Sequence, residues 1–104
     1  MEKEKAKIIV ENGAGVSGLA FRVSSVLKSR GYEVVAYRTA KELTEKTKII
    51  DCSSGEKPYS LQLLRQRFPY AEVQSCSSEV DSTADFVIIL GQDFDYQNFS
   101  QRKI

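Results

Sequence analysis

The apolar positions of the chain change rhythm from segment to segment, and each rhythm predicts an element. Lys7 to Val10 (Lys-Ile-Ile-Val) is a β-branched run halted by Asn12-Gly13, which predicts a short strand ending in a turn. From Ser17 to Arg30 the apolar residues Leu19, Ala20, Val23, Val26 and Leu27 recur at i, i+1, i+4, i+7 and i+8, a single helical stripe. Lys28 and Arg30 suit the negative end of that helix, and Gly31 stands where a left-handed C′ residue belongs. Tyr32 to Tyr37 (Tyr-Glu-Val-Val-Ala-Tyr) then predicts a second strand, so that residues 8–37 form a βαβ unit with parallel strands and a right-handed crossover.

A polar stretch, Arg38 to Thr47, leads to a third strand over Lys48 to Asp51, and its Lys41–Lys46 segment is expected to form one helical turn with little apolar surface. A second helix follows Pro58, with Leu61, Leu64 and Phe68 at i, i+3 and i+7, and Pro69 enforces its end. Ala71 to Gln74 predicts a fourth strand. Ala84 to Leu90 is almost wholly apolar after Asp85, the pattern of a strand buried on both faces or central in a sheet, and Gly91 stops it. The order β-α-β-β-α-β-β predicts an α+β, two-layer fold with two helices on one face of a four- to five-stranded mixed sheet, close to ferredoxin-like arrangements. The domain is expected over residues 7–94, with residues 1–6 and 95–104 as flexible tails.

Composition narrows the chemistry. The 104 residues hold no His, so Ser-His-Asp and Cys-His triads and His-ligated metal sites are excluded. Fifteen Lys and Arg stand against fourteen Asp and Glu, a net charge of +1 dispersed along the chain, which provides no basic field for nucleic acid. No apolar run approaches the ~20 residues that a membrane-spanning helix needs. The N-terminus alternates in charge and lacks the apolar core of a signal peptide, which fits either a cytosolic chain or one whose targeting segment was removed upstream of Met1. No metal site is expected.

Cys52 and Cys76 each open a Cys-Ser-Ser triplet, lack C-x-x-C spacing, and are read as small residues near strand ends. A disulfide is the minority reading: both fall at the same end of neighbouring predicted strands, and geometry decides. Cys52 is no phosphatase nucleophile, because Pro58 occupies the position where a C-x5-R loop needs Arg. Asp51 and Asp85 are the acids beside apolar strands, and neither has an evident catalytic partner. Tyr32, Tyr37, Tyr59, Phe68 and Tyr70 are aromatics able to stack on sugar rings, but core or rim packing is the commoner fate of such positions. Phe21 lies off the apolar stripe of its helix and is the candidate partner contact, with Arg38 as a second.

Gly13-Ala14-Gly15-Val16-Ser17-Gly18 matches G-x-G-x-x-G between a strand and a helix, the context of a dinucleotide fingerprint. The second strand ends Val35-Ala36-Tyr37-Arg38, however, without the acid that would bind a ribose. We therefore read the glycines first as a fold-making turn. A second reading keeps the loop, through Asn12, Gly13, Gly15, Ser17 and Gly18, as a cradle for a single anion or a nucleotide at the helix N-terminus. No cofactor is assigned.

The segment Ile9-Val10-Glu11-Asn12-Gly13-Ala14-Gly15-Val16-Ser17-Gly18-Leu19-Ala20, the turn Gly31-Tyr32-Glu33-Val34-Val35 and the closing Leu90-Gly91-Gln92-Asp93-Phe94 together resemble the LytR_C domain, the C-terminal domain of LytR/CpsA/Psr cell-envelope proteins. The resemblance spans roughly residues 7–94, is loose over residues 39–60, and does not include the cysteines. It implies a non-catalytic accessory module that binds cell-wall polymer or an envelope protein, located outside the cytoplasm and membrane-anchored in a full-length parent. The catalytic domain that often accompanies it is not in this chain. The "transcriptional attenuator" label of the family has no counterpart here in a helix-turn-helix signature or a basic stripe.

Overall fold

The computed structural model describes residues 6–53, 55–76 and 84–101. Its elements run β1 (Lys7–Asn12), α1 (Leu19–Ser29), β2 (Glu33–Thr39), β3 (Lys48–Asp51), α2 (Pro58–Arg67), β4 (Glu72–Ser75), β5 (Phe86–Leu90) and α3 (Tyr96–Gln101). The strands form one mixed sheet in the order β2-β1-β5-β3-β4. Two βαβ units, β1-α1-β2 and β3-α2-β4, each place their strands side by side and parallel. β5 joins the units, running parallel to β1 and antiparallel to β3. The expected α+β architecture stands. The expected nearness to a ferredoxin-like fold does not, because that arrangement splits its βαβ units with an intervening strand, whereas β1 and β2 here are direct neighbours.

The central position of β5 explains its composition. Phe86, Ile88 and Leu90 are buried on the helical face, with Ile8, Val10 and Ile49 beside them, under Leu19, Val23, Leu27, Leu64, Phe68 and Phe99. Val87 joins Ile9, Ile50 and Ala84 in a second cluster on the other face. A strand buried on both faces reads as a continuous apolar run, as this one does. α1 ends as its sequence predicts: Gly31 has φ +91°, its N–H donates to the Lys28 carbonyl, and the Tyr32 N–H reaches the Leu27 carbonyl. This paired closure is the Schellman motif, and it returns Tyr32 to the core.

Three expectations are corrected. Residues 95–101 were expected as part of a flexible tail, yet Tyr96–Gln101 form α3, because Phe99 is 2% exposed and stacks on Phe68 with ring centroids 5.1 Å apart. Phe99, too isolated to show as a periodic pattern, anchors the helix; Phe94 completes a three-ring cluster with Phe68 and Phe99. Residues 41–46 form no helical turn. They follow an irregular path whose backbone groups bond to the β1 and β5 ends instead of to one another. The cysteines are bonded. Asp51 and Ser75 are register partners, so Cys52 and Cys76 emerge side by side with Cα atoms 4.7 Å apart and form a disulfide. Parallel pairing of β3 and β4, the same-end placement on which the minority disulfide reading rests, is what brings them together.

Candidate functional site

β1, β2 and β5 are parallel, so their C-terminal ends share one edge of the sheet, the edge at which open α/β sheets commonly bind ligands. The glycine loop leaves β1 there. Asn12 organises it: its side-chain oxygen accepts the Ala14 N–H at 3.1 Å and its amide donates to the Val16 carbonyl at 2.6 Å. This Asx turn reverses the chain toward α1. Gly13 donates its N–H to the Leu90 carbonyl and accepts from the Thr44 N–H, both at 2.8 Å. A Cβ on Gly13 would lie 2.8 Å from the Thr44 methyl and 2.9 Å from the Leu90 oxygen. Leu43 covers Gly15 in the same way.

The space where a dinucleotide fingerprint would receive a pyrophosphate is thus entered by residues 43 and 44. Gly18, with φ +75°, is the N-cap of α1, and no side chain caps the helix; exposed Ser17 does not perform that role. The amides of Gly15, Ser17 and Gly18 make no hydrogen bond with described residues.

The same connection is strapped to β5. Asp93 Oδ1 accepts from the Thr47 N–H at 2.9 Å and from its hydroxyl at 2.8 Å, and the Gly91 N–H donates to the Thr47 oxygen at 3.0 Å. Gln92 and Asp93 donate their N–H groups to the Thr44 and Glu45 carbonyls. Gly91 is required because a Cβ there would collide with the carbonyl carbon of Lys46 and come within 2.6 Å of the Thr47 nitrogen. The Leu90-Gly91-Gln92-Asp93 signature is therefore a clasp between the β2–β3 connection and the end of β5. The sequence marked its Gly and Asp but not their buried partner Thr47.

The acids singled out earlier have structural partners. Asp51 Oδ1 accepts from the Ser53 N–H and hydroxyl at 2.9 and 2.6 Å. Asp85 accepts the Lys7 N–H at 2.9 Å and faces the Lys57 ammonium at 3.8 Å. Among the described residues, no group of three His, Cys, Asp or Glu is placed to hold a metal ion. No helix among them is long and apolar enough to cross a membrane.

Phe21 is 55% exposed, as its position off the helical stripe predicts. Its ring meets that of Tyr37, itself 48% exposed, edge to face at 5.3 Å. The sequence groups Tyr37 with Tyr32, Tyr59, Phe68 and Tyr70 as aromatics able to stack on sugar rings, and gives no reason to single it out. Its register opposite Val10 places it on the helical face at the uncovered margin of edge strand β2, a fact of topology that composition does not carry. Arg38, next along the strand, points to the other face and is held by Glu11, with Nη2–Oε2 and Nε–Oε2 distances of 2.6 and 2.7 Å. The structure thus separates Phe21 and Arg38 onto opposite faces. Tyr32 and Phe68 are core residues, whereas Tyr59 and Tyr70 remain exposed.

Fold and edge together define a small α+β domain whose signature glycines form its turns and which presents one adjoining pair of exposed rings, Phe21 and Tyr37, at the β2 margin of the sheet. The chain belongs to the LytR_C family, whose model, described as "LytR cell envelope-related transcriptional attenuator", matches residues 5–94. It is in that sense a cell-envelope-related domain. A similar solved structure is the soluble domain of a conserved hypothetical secreted protein from Mycobacterium marinum, with a TM-score of 0.66 and 22% identity. The match covers 86% of this chain and 61% of that one, and it shows a shared fold. No curated protein matches this chain.

Proposed function

We propose that this domain is a non-catalytic accessory module of the cell envelope that binds an envelope polymer or a partner protein, with the Phe21–Tyr37 pair as its contact. The observation that carries the reading is the exposure of two adjoining large rings on one margin. Aromatic faces of this kind supply much contact area at little entropic cost and are enriched where proteins meet partners. Val16 and Leu43, also half or more exposed, extend the apolar surface around the glycine loop.

The engaged acids and the lack of His support a role without catalysis. The Cys52–Cys76 bond supports an extracytoplasmic location, since disulfides persist in oxidising compartments. Retention of the folded domain on purified cell-wall sacculi and on envelope-protein ectodomains tests the proposal. Wild type is expected to be retained on one of them and a Phe21→Ala/Tyr37→Ala variant of unchanged fold to be released; no retention of wild type on either contradicts it.

A second reading is supported by the open amides of Gly15, Ser17 and Gly18, which with Asn12 and Gly13 would hold a phosphate or nucleotide. Titration with pyrophosphate and NAD(P), followed through the amide signals of Gly13, Gly15 and Gly18, tests it, and unmoved signals remove it.

A further inference from the structure

Each strand of the sheet except β4 buries at least one side chain in the core. β4 buries none: Glu72, Val73, Gln74 and Ser75 are all exposed. It lies at an edge and pairs with β3 alone, over four residues. Ordering a strand costs conformational entropy that side-chain burial ordinarily offsets, and here little burial is present to do so. What else holds the strand stands at its two ends. At its start are Ala71, partly buried against the helical core, and the Glu72 carboxylate, 3.9 Å from the Lys46 ammonium on an exposed surface where such a pair contributes little. Just past its end is Cys76, bonded to Cys52.

We propose that the Cys52–Cys76 bond is a redox latch on β4: oxidised, it completes the five-stranded sheet, and reduced by a dithiol it lets β4 leave β3 while the other four strands and the helices stay in place. Three observations support a latch. First, the bond occupies the next rung after the Asp51–Ser75 register pair, so it closes the ladder at the end where the Cys76 N–H donates to the Asp51 carbonyl at 3.1 Å. Second, both cysteines are only partly buried, at the margin of the smaller core cluster, so a small dithiol reaches them in the folded chain. Third, α2, which the bond encloses, does not depend on it for its place: Leu64 and Phe68 are buried, and Phe68 stacks on Phe99.

The chemistry is thiol–disulfide exchange. A thiolate of the dithiol attacks one sulfur of the pair, which expels the other as a thiolate and leaves a mixed disulfide; the second thiol of the reductant then resolves it. The dithiol gives up two electrons and two protons to become a disulfide, and Cys52 and Cys76 end as two thiols. Loss of the cross-link lifts a constraint on every open form of the segment between them and so favours opening. Departure of β4 leaves the outer edge of β3 unpaired, so the sheet has its full width only where the compartment oxidises thiols.

Nuclear Overhauser contacts between strand backbones, measured on the intact chain before and after dithiothreitol in the absence of denaturant, test the proposal. Reduction is expected to remove the β3–β4 contacts and to move the amide signals of Glu72 to Cys76 toward unstructured values. The β1–β2, β1–β5 and β3–β5 contacts should persist, and reoxidation should restore the lost set. A Cys52→Ser/Cys76→Ser variant should match the reduced chain and ignore the reductant. Retention of the β3–β4 contacts in the reduced chain overturns the proposal, as does their loss together with all the others, which would make the bond a support of the whole fold. A disulfide that resists dithiothreitol until the chain is unfolded overturns it as well.

Discussion

Gly91 and Gly18 are glycines for different physical reasons, and substitution separates them. At Gly91 the obstacle is backbone on the facing segment, Lys46 and Thr47, which cannot rotate away as a side chain would. At Gly18 nothing lies within 4 Å of a Cβ, and the obstacle is φ +75° alone. Gly91→Ala is expected to cost about 3 kcal/mol or more, because the Asp93–Thr47 clasp must open to admit a methyl group. Gly18→Ala is expected to cost about 1 to 2 kcal/mol, the price of a left-handed L-residue. Urea denaturation of the two variants checks the order. Asn12-Gly13 and Gly31 announced their turns in the sequence, since each is a local device. Thr47 did not announce itself, because its hydrogen-bond partner lies 46 residues away and no local pattern encodes that pairing.

At the level of elements, the departures from expectation have one cause: local patterns do not report long-range partners. α3 is six residues long, with Phe99 the one buried anchor among its described side chains, too short for a helical period to show. Phe99→Ala is expected to destabilise the domain by about 3 kcal/mol, through the cavity left against Phe68 and Phe94, and a lower thermal midpoint checks it.

The disulfide spans 24 residues and encloses α2. Loop-closure entropy for a loop of that size gives a stabilisation of about 3 to 4 kcal/mol, so a Cys52→Ser/Cys76→Ser variant should show that loss in denaturant unfolding. Reductant should impose a similar loss on wild type and none on the variant. By contrast, α1, α2 and β5 were legible because their burial repeats along the sequence at 3.6 residues or without interruption.

For the whole molecule, strand order decides what the surface presents. The order β2-β1-β5-β3-β4 makes β2 an edge, and that alone turns Tyr37 from a strand residue of ordinary appearance into half of an exposed ring pair. Sequence singled out Phe21 from helical phase but offered no means of choosing Tyr37 among five tyrosines. The same order gathers the ends of β1, β2 and β5, where residues 43 and 44 close over Gly13 and Gly15. The glycine signature then accounts for the architecture of that edge, and the proposed contact is the ring pair beside it. A map of backbone amide shifts on adding solubilised cell-wall fragments or a retained ectodomain tests this division most directly. The account predicts changes centred on Phe21 and on Val35 to Arg38, with Gly13, Gly15 and Gly18 unmoved; changes centred on those glycines, with Phe21 and Tyr37 silent, would contradict it.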